Sequence, residues 1–173
     1  MAKNLFGENF ESLDEYAKRL IKVGFSKPTY KIRINSINYY PNRGIDISIT
    51  DLNNNILKSG TNFAGIYSVW EGIPNRTNCL YVGGSAVRIN DRIYRFMKEL
   101  CNVSRDDEDH PAAKKCRLFG HNPHDMYLKI LPKSEFPEIR NDFVDINDDE
   151  IELFIDEYIA PLLSAKYNKK VKK

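Results

Sequence analysis

Apolar residues recur along this chain at two periods, and those periods divide it into helices and strands. Leu13, Tyr16, Ala17, Leu20 and Ile21 follow the three- and four-residue spacing of an amphipathic helix. Ser12, followed three residues later by Glu15, forms a capping box that starts this helix, and the pattern carries it to about Val23. The stretches YKIRINSINYY and GIDISITDL alternate instead, with Ile45, Ile47 and Ile49 on one face. Pro41-Asn42-Arg43-Gly44 predicts the turn that pairs them, and Asp51 to Asn55 predicts a second turn. Residues 65–70 and 79–83 predict a hairpin around a polar, proline-containing turn. From Arg88 to Leu100 a helical stripe of Ile89, Ile93, Phe96 and Met97 returns. Between Cys101 and His124 the sequence is polar and irregular, with proline and glycine, which predicts a loop or insertion. MYLKIL at 126–131 predicts a strand. DDEIELFIDEYIAPLL predicts a last helix with Ile151, Phe154, Ile155, Tyr158 and Leu162 facing inward.

Residues 63–168 thus run strand, strand, helix, strand, helix, an α+β core carrying an insertion at 101–124. Residues 1–62 form an N-terminal helix and hairpin extension, and 169–173 a basic tail. With 173 residues and 42% apolar content, the chain suits one compact domain rather than disorder. Its acidic N-terminus lacks a long apolar run, so neither a signal peptide nor a membrane span is expected. Cys79, Cys101 and Cys116 make no CxxC pair and no even framework, which points to a reducing, cytoplasmic setting. The net charge of +2 does not by itself announce a nucleic-acid partner. Its distribution is uneven, with acidic stretches at Asp106–Asp109 and Asp145–Glu152 against the ending KYNKKVKK, which reads first as a solvated terminus.

The hairpin carries the candidate chemistry. Tyr67 closes Gly65-Ile66-Tyr67 and Tyr81 opens Tyr81-Val82-Gly83, so each tyrosine shares a strand face with a glycine. Glycine on that face would leave room for another backbone to approach closely. Alone, two such tyrosines read as packing aromatics. Downstream lie Ile89-Asn90-Asp91-Arg92-Ile93 on the helix, then Ile151-Glu152 with Phe154-Ile155 and Pro161, then Tyr167-Asn168. These landmarks, in this order, resemble the GIY-YIG nuclease family, and its small type II restriction endonucleases most of all.

The resemblance implies a three-stranded antiparallel sheet flanked by helices and a metal-dependent endonuclease acting on double-stranded DNA with Mg2+ or Mn2+. It also implies a homodimer or larger assembly, with the N-terminal extension serving DNA recognition or oligomerisation. A mobile-element or repair nuclease, or a non-catalytic DNA-binding module, is the alternative. Tyr67 would take a proton from the attacking water, Tyr81 would assist, Arg92 would clamp the phosphate, Glu152 would hold the metal and Asn168 would brace the site. The residue types suit the work: a carboxylate holds a hard cation, a guanidinium forks onto phosphate oxygens, and a tyrosine beside cations can move toward phenolate. Arg88 and Arg95 compete with Arg92, and Glu157 competes with Glu152, because the spacings admit each. Two departures stand out. The position after the second motif's glycine, where family members often carry lysine, is Gly84, so a cation must come from elsewhere, Arg76 or Arg88 being candidates. One turn after Arg92, where histidine or tyrosine is common, stands Phe96. Cys101, His110, Cys116, His121 and His124 are zinc-ligand types, but their spacing matches no standard finger, so structural zinc is not expected. Lys114, Lys115 and Arg117 read instead as DNA phosphate contacts.

Overall fold

The alternating strands come together in a single sheet. The computed structural model describes residues 11–38, 44–57, 63–104 and 109–170. Strands β1 (Thr29–Asn38), β2 (Gly44–Asp51), β3 (Gly65–Glu71), β4 (Cys79–Ser85) and β5 (Met126–Pro132) lie in the order β2-β1-β5-β3-β4, each pair antiparallel. This corrects the three-stranded expectation. In three strands β5 would present a row of open backbone groups. Here β1 pairs with it through Thr29↔Lys129, Tyr30↔Leu128 and Lys31↔Tyr127, so the N-terminal hairpin extends the same sheet. The turn at Pro41–Arg43 lies outside the described residues. The turn after β2 forms as predicted, with Asp51 Oδ1 accepting from the amides of Asn53 and Asn55.

Helices cover both faces. Helix α1 (Leu13–Ser26) begins where Ser12 Oγ accepts from the Glu15 amide at 3.1 Å. It runs past Val23 because Phe25 still packs edge-on against Trp70, ring centroids 5.3 Å apart. Its Tyr16, Ala17 and Leu20 join Ile66, Trp70, Val82 and Leu131 on one face of the sheet. The other face carries α2 (Ile89–Leu100) and α3 (Pro111–Leu118), whose Ile93, Phe96, Met97, Ala113 and Cys116 pack with Tyr67, Val69, Leu80 and Leu128. The last helix, α4 (Asp148–Phe154), returns to the α1 side and adds Ile151 and Phe154 to that cluster, with Ile155 just beyond its end. β3 is buried from Gly65 to Trp70, and strands covered on both faces read as continuous apolar runs.

Two further expectations are corrected. The 101–124 region is not only loop: α3 folds within it, with Pro111 at its start and small Ala112, Ala113 and Cys116 buried. So short a helix offers too few apolar repeats to register as a period. In the last helix Leu162 is 39% exposed whereas Leu163 is buried. A π turn at Ile155–Ile159 inserts an extra residue and rotates the face beyond it, so Ile159 and Leu163 point inward.

Two consecutive glycines on β4 set how closely the layers approach. A Cβ on Gly84 would meet Ile155 Cδ1 at 2.7 Å, the Gly65 carbonyl at 2.9 Å and Ile151 Cδ1 at 3.4 Å. A lysine there would have to enter the core beneath α4, which is why this position cannot carry one. Gly84→Ala tests that packing. Restricting the unfolded chain favours alanine by about 0.4–1 kcal/mol, but overpacking costs about 1–3 kcal/mol. The Gly65 carbonyl cannot yield without disturbing the β3–β4 pairing. The expected outcome is a lower urea midpoint with an unchanged slope.

Candidate active site

The cleft begins at β4, which ends the described sheet. Tyr67 on β3 sits directly across from Gly83, and its ring lies 6.1 Å from that of Tyr81, at an interplanar angle of 58°. The ring covers Gly83: a Cβ there would fall 2.6 to 2.7 Å from Cζ, Cε1 and Oη of Tyr67. The space left by glycine is therefore filled by tyrosine, not kept open for a DNA backbone. Gly65 is likewise closed off by Leu131 of β5, whose carbonyl would lie 2.5 Å from a Cβ.

Arg92, from the first turn of α2, reaches across to α4. Its guanidinium lies 3.2 Å from Asp148 Oδ2 and 3.6 Å from Glu152 Oε1. Asp148 is itself fixed, accepting from Ser85 Oγ at 3.1 Å and the Ala86 amide at 2.6 Å. Burial pushes its carboxyl up, but the hydrogen bonds from Ala86, Arg92 and Ser85 outweigh that and hold it below the usual range. Asp148 thus ties the end of β4, the start of α2 and the start of α4 at one point. A cleft opens beside it, lined by Tyr81, Gly83, Arg92, Glu152 and Asp156, with Arg95, Lys115 and Lys169 supplying further cations.

Asp156 escapes a reading of the sequence alone, although its four-residue distance from Glu152 is a usable signal. Its partner is Asn168, the buried brace of the edge strand. Asn168 Oδ1 accepts from the Val82 amide at 2.9 Å, and Nδ2 donates to the Val82 carbonyl at 2.8 Å and to Asp156 Oδ1 at 2.9 Å. Tyr167 and Lys166 continue the pairing, their amides donating to the carbonyls of Leu80 and Cys79. Burial raises the Asp156 carboxyl above its ordinary value, against the hydrogen bond from Asn168 and the charge of Lys169.

Other sequence candidates lie elsewhere. Arg88 is exposed and does not line the cleft; it borders an adjoining groove that shares Arg92 and Arg95 with it. Glu157 is exposed and does not line the cleft; it lies on an adjoining surface that shares Asp156 and Lys169 with it. Arg76 sits over the Phe25 ring at 5.9 Å. Lys114 is exposed outside the cleft, while Arg117 binds the Glu99 carboxylate at 3.2 Å and its carbonyl at 3.1 Å. Of the three basic residues on α3, only Lys115 lines the cleft. The zinc-type residues have separate roles. Cys101 and Cys116 are buried thiols, His124 is exposed, His121 binds Glu71, and His110 caps α3 by accepting from the Ala113 amide. Among the described residues no three His, Cys, Asp or Glu side chains gather as a metal group. Mg2+ commonly takes only one or two carboxylates and completes its shell with water and substrate phosphate, so Glu152 with Asp156 fits such an ion.

Both tyrosines are held as neutral hydroxyls. Burial pushes Tyr67 well above its ordinary value, Tyr81 and Glu152 add to the rise, and Arg92 and Arg95 only partly oppose it. Tyr81 is raised too, by burial first and then by Asp156 and Glu152. The surrounding cations therefore do not by themselves produce the expected phenolate. Phe96 stacks on Tyr81 at 5.6 Å, and the His110 ring meets both edge-on at 5.0 and 5.1 Å.

His110 makes stability pH-dependent. Burial, with smaller contributions from Arg95 and Arg92 and against Glu99, lowers it from 6.5 to about 4. The fold favours the neutral ring, so the unfolded chain takes up the proton first. The contribution is full above pH 6.5 and is lost as pH falls toward 4, amounting to about 2 kcal/mol between pH 7 and 5. His110→Asn keeps a capping acceptor without the titration. Urea melts at the two pH values should differ less in this variant than in the parent.

No protein-family model, curated protein or solved structure matches the chain, so the functional reading rests on the cleft itself.

Proposed function

We propose that the chain is a metal-dependent DNA endonuclease working from this cleft, of a site-specific, restriction-like kind that acts as a homo-oligomer. One observation carries the reading: Tyr81, Arg92 and Glu152, distant in sequence and borne on three different elements, line a single cleft with the Tyr67 ring closing over its Gly83 wall. A phosphodiester needs charge stabilisation on its oxygens, an oriented water and a stabilised leaving oxygen. Arg92 offers a planar fork to the non-bridging oxygens, already aligned by Asp148. Lys115 and Lys169 supply the positive charge that Gly84 cannot. Glu152 and Asp156 would hold the divalent ion, which when bound polarises the phosphate and stabilises the leaving oxygen. Tyr81, as a neutral hydroxyl lining the cleft, would orient the attacking water or the phosphate through a hydrogen bond, with Tyr67 buried behind the Gly83 wall.

The burial of Tyr67 favours a second reading, a DNA-binding module without catalysis, because a buried neutral phenol is a poor base. Plasmid cleavage separates the two. The purified chain with Mg2+ or Mn2+ should nick or linearise plasmid, and chelation should stop it. Arg92→Lys, which keeps the charge but loses the fork, should slow cleavage by about 100-fold. Discrete fragments on a sequenced plasmid would mark site specificity, and scattered nicks a repair or degradative role. A preparation that binds DNA yet leaves it intact across divalent ions would establish the second reading.

A further inference from the structure

Beside the cleft stands an aromatic surface that the proposed cleavage does not use. Helix α3 ends in a Schellman closure: the Gly120 amide donates to Arg117, the His121 amide donates to Cys116, and Gly120 takes a positive φ of 80°. This closure turns Phe119 outward at the helix end and His121 back toward the body. Phe119 is 73% exposed, the highest value among the exposed large apolar side chains of the described residues. Its ring nonetheless has a fixed neighbour, stacking on Tyr167 at 6.1 Å with the planes 18° apart.

Tyr167 is fixed in turn. His121 Nδ1 lies 2.8 Å from Glu71 Oε2, and Nε2 lies 2.6 Å from Tyr167 Oη. A carboxylate only accepts, so Nδ1 donates to Glu71, and the other ring nitrogen is left to pair with the Tyr167 hydroxyl. The Tyr167 amide is bonded to Leu80 of β4. The stacked pair is thus pinned to the sheet from two directions, and a solvated helix end needs no such anchoring. Both rings also come with a cation. Lys115 lies one helical turn before Phe119, Lys169 stands two residues after Tyr167, and both lysines line the cleft with Arg92 and Glu152.

We propose that Phe119 and Tyr167 form a stacking shelf for an unpaired nucleobase of a DNA strand whose phosphates are held by Lys115 and Lys169. The inference rests on the nucleic-acid reading of the cleft and specifies the form of DNA it favours: a strand with at least one base out of the duplex stack. Planar π faces accept any base, so the shelf selects exposure of a base rather than its identity. The offered chemistry is an open aromatic face beside a cleft that carries Lys115 and Lys169, which matches a nucleotide better than a purely apolar partner.

Binding to fluorescently labelled oligonucleotides in EDTA isolates this step from cleavage. Phe119 is exposed, so its substitution leaves the core intact. Phe119→Ala should weaken binding to a single strand, and to a duplex with one bulged base, by about 5- to 100-fold. Phe119→Tyr should restore it, and affinity for a fully paired duplex should change less than about twofold. As a direct probe, Phe119→Trp adds an exposed indole to a chain whose own tryptophan, Trp70, is buried. Its emission should be quenched by an oligonucleotide but not by inorganic polyphosphate of equal charge. Equal losses on paired and unpaired DNA, unchanged affinity in Phe119→Ala, or equal quenching by polyphosphate would overturn the shelf while leaving the cleft reading in place. Failure of the parent chain to bind any form of DNA would overturn both.

Discussion

Two side chains press on consecutive glycines of β4 from opposite faces of the sheet, and the geometry of the cleft depends on this contact. Tyr67 occupies the place of a Gly83 side chain, and Ile155 that of a Gly84 side chain. One contact fixes the tyrosine ring at the cleft wall. The other seats the final helix so closely that Glu152 comes within reach of Arg92 on α2. Any larger residue at either position would push a layer away, and a site assembled from β3, β4, α2 and α4 would lose its registry. Tight packing here does the work that a dedicated loop does in other sites.

Edge protection and site construction share the same residues. β4 ends the described sheet, and its outer backbone groups are met by Lys166, Tyr167 and Asn168 rather than left open for another strand. The Asn168 side chain that satisfies Val82 also aims at Asp156, so sealing the edge orients a cleft carboxylate. Asp148 plays the matching part at the other end, joining Ser85, Ala86 and Arg92. Because these polar groups are tied at both ends, the cleft is organised before anything binds, which is how an electrostatic site gains most over water.

Much of this architecture is legible in the sequence, and the gaps have physical causes. Helices α1 and α2 announce themselves because each buries a sustained stripe, and the hairpins because alternation and turn residues agree. The placement of β5 between β1 and β3 is not legible, since pairing across so many residues leaves no local trace. Helix α3 is hidden because eight residues carry little periodicity and its buried side chains are small. The apolar pattern puts Leu162 on the wrong face because a π turn leaves no simple mark in it. The gathering of Tyr81, Arg92 and Glu152 follows from a resemblance in order and spacing, whereas the exclusion of Glu157 and Arg88 from the cleft needs the fold. Asp156 and the Phe119–Tyr167 pair stay hidden for a simpler reason: a lone carboxylate and a lone aromatic in a polar stretch mean nothing until the sheet brings their partners alongside.

If the cleft cuts DNA, the carboxylate facing Arg92 is the one on which phosphodiester cleavage depends. Single-turnover cleavage by Glu152→Gln and Glu157→Gln, compared at matched DNA binding and saturating Mg2+, puts this dependence to the sharpest test. Glu152→Gln should lose at least about 100-fold in rate, while Glu157→Gln stays near the parent. Full activity in Glu152→Gln, or a collapse confined to Glu157→Gln, would contradict it.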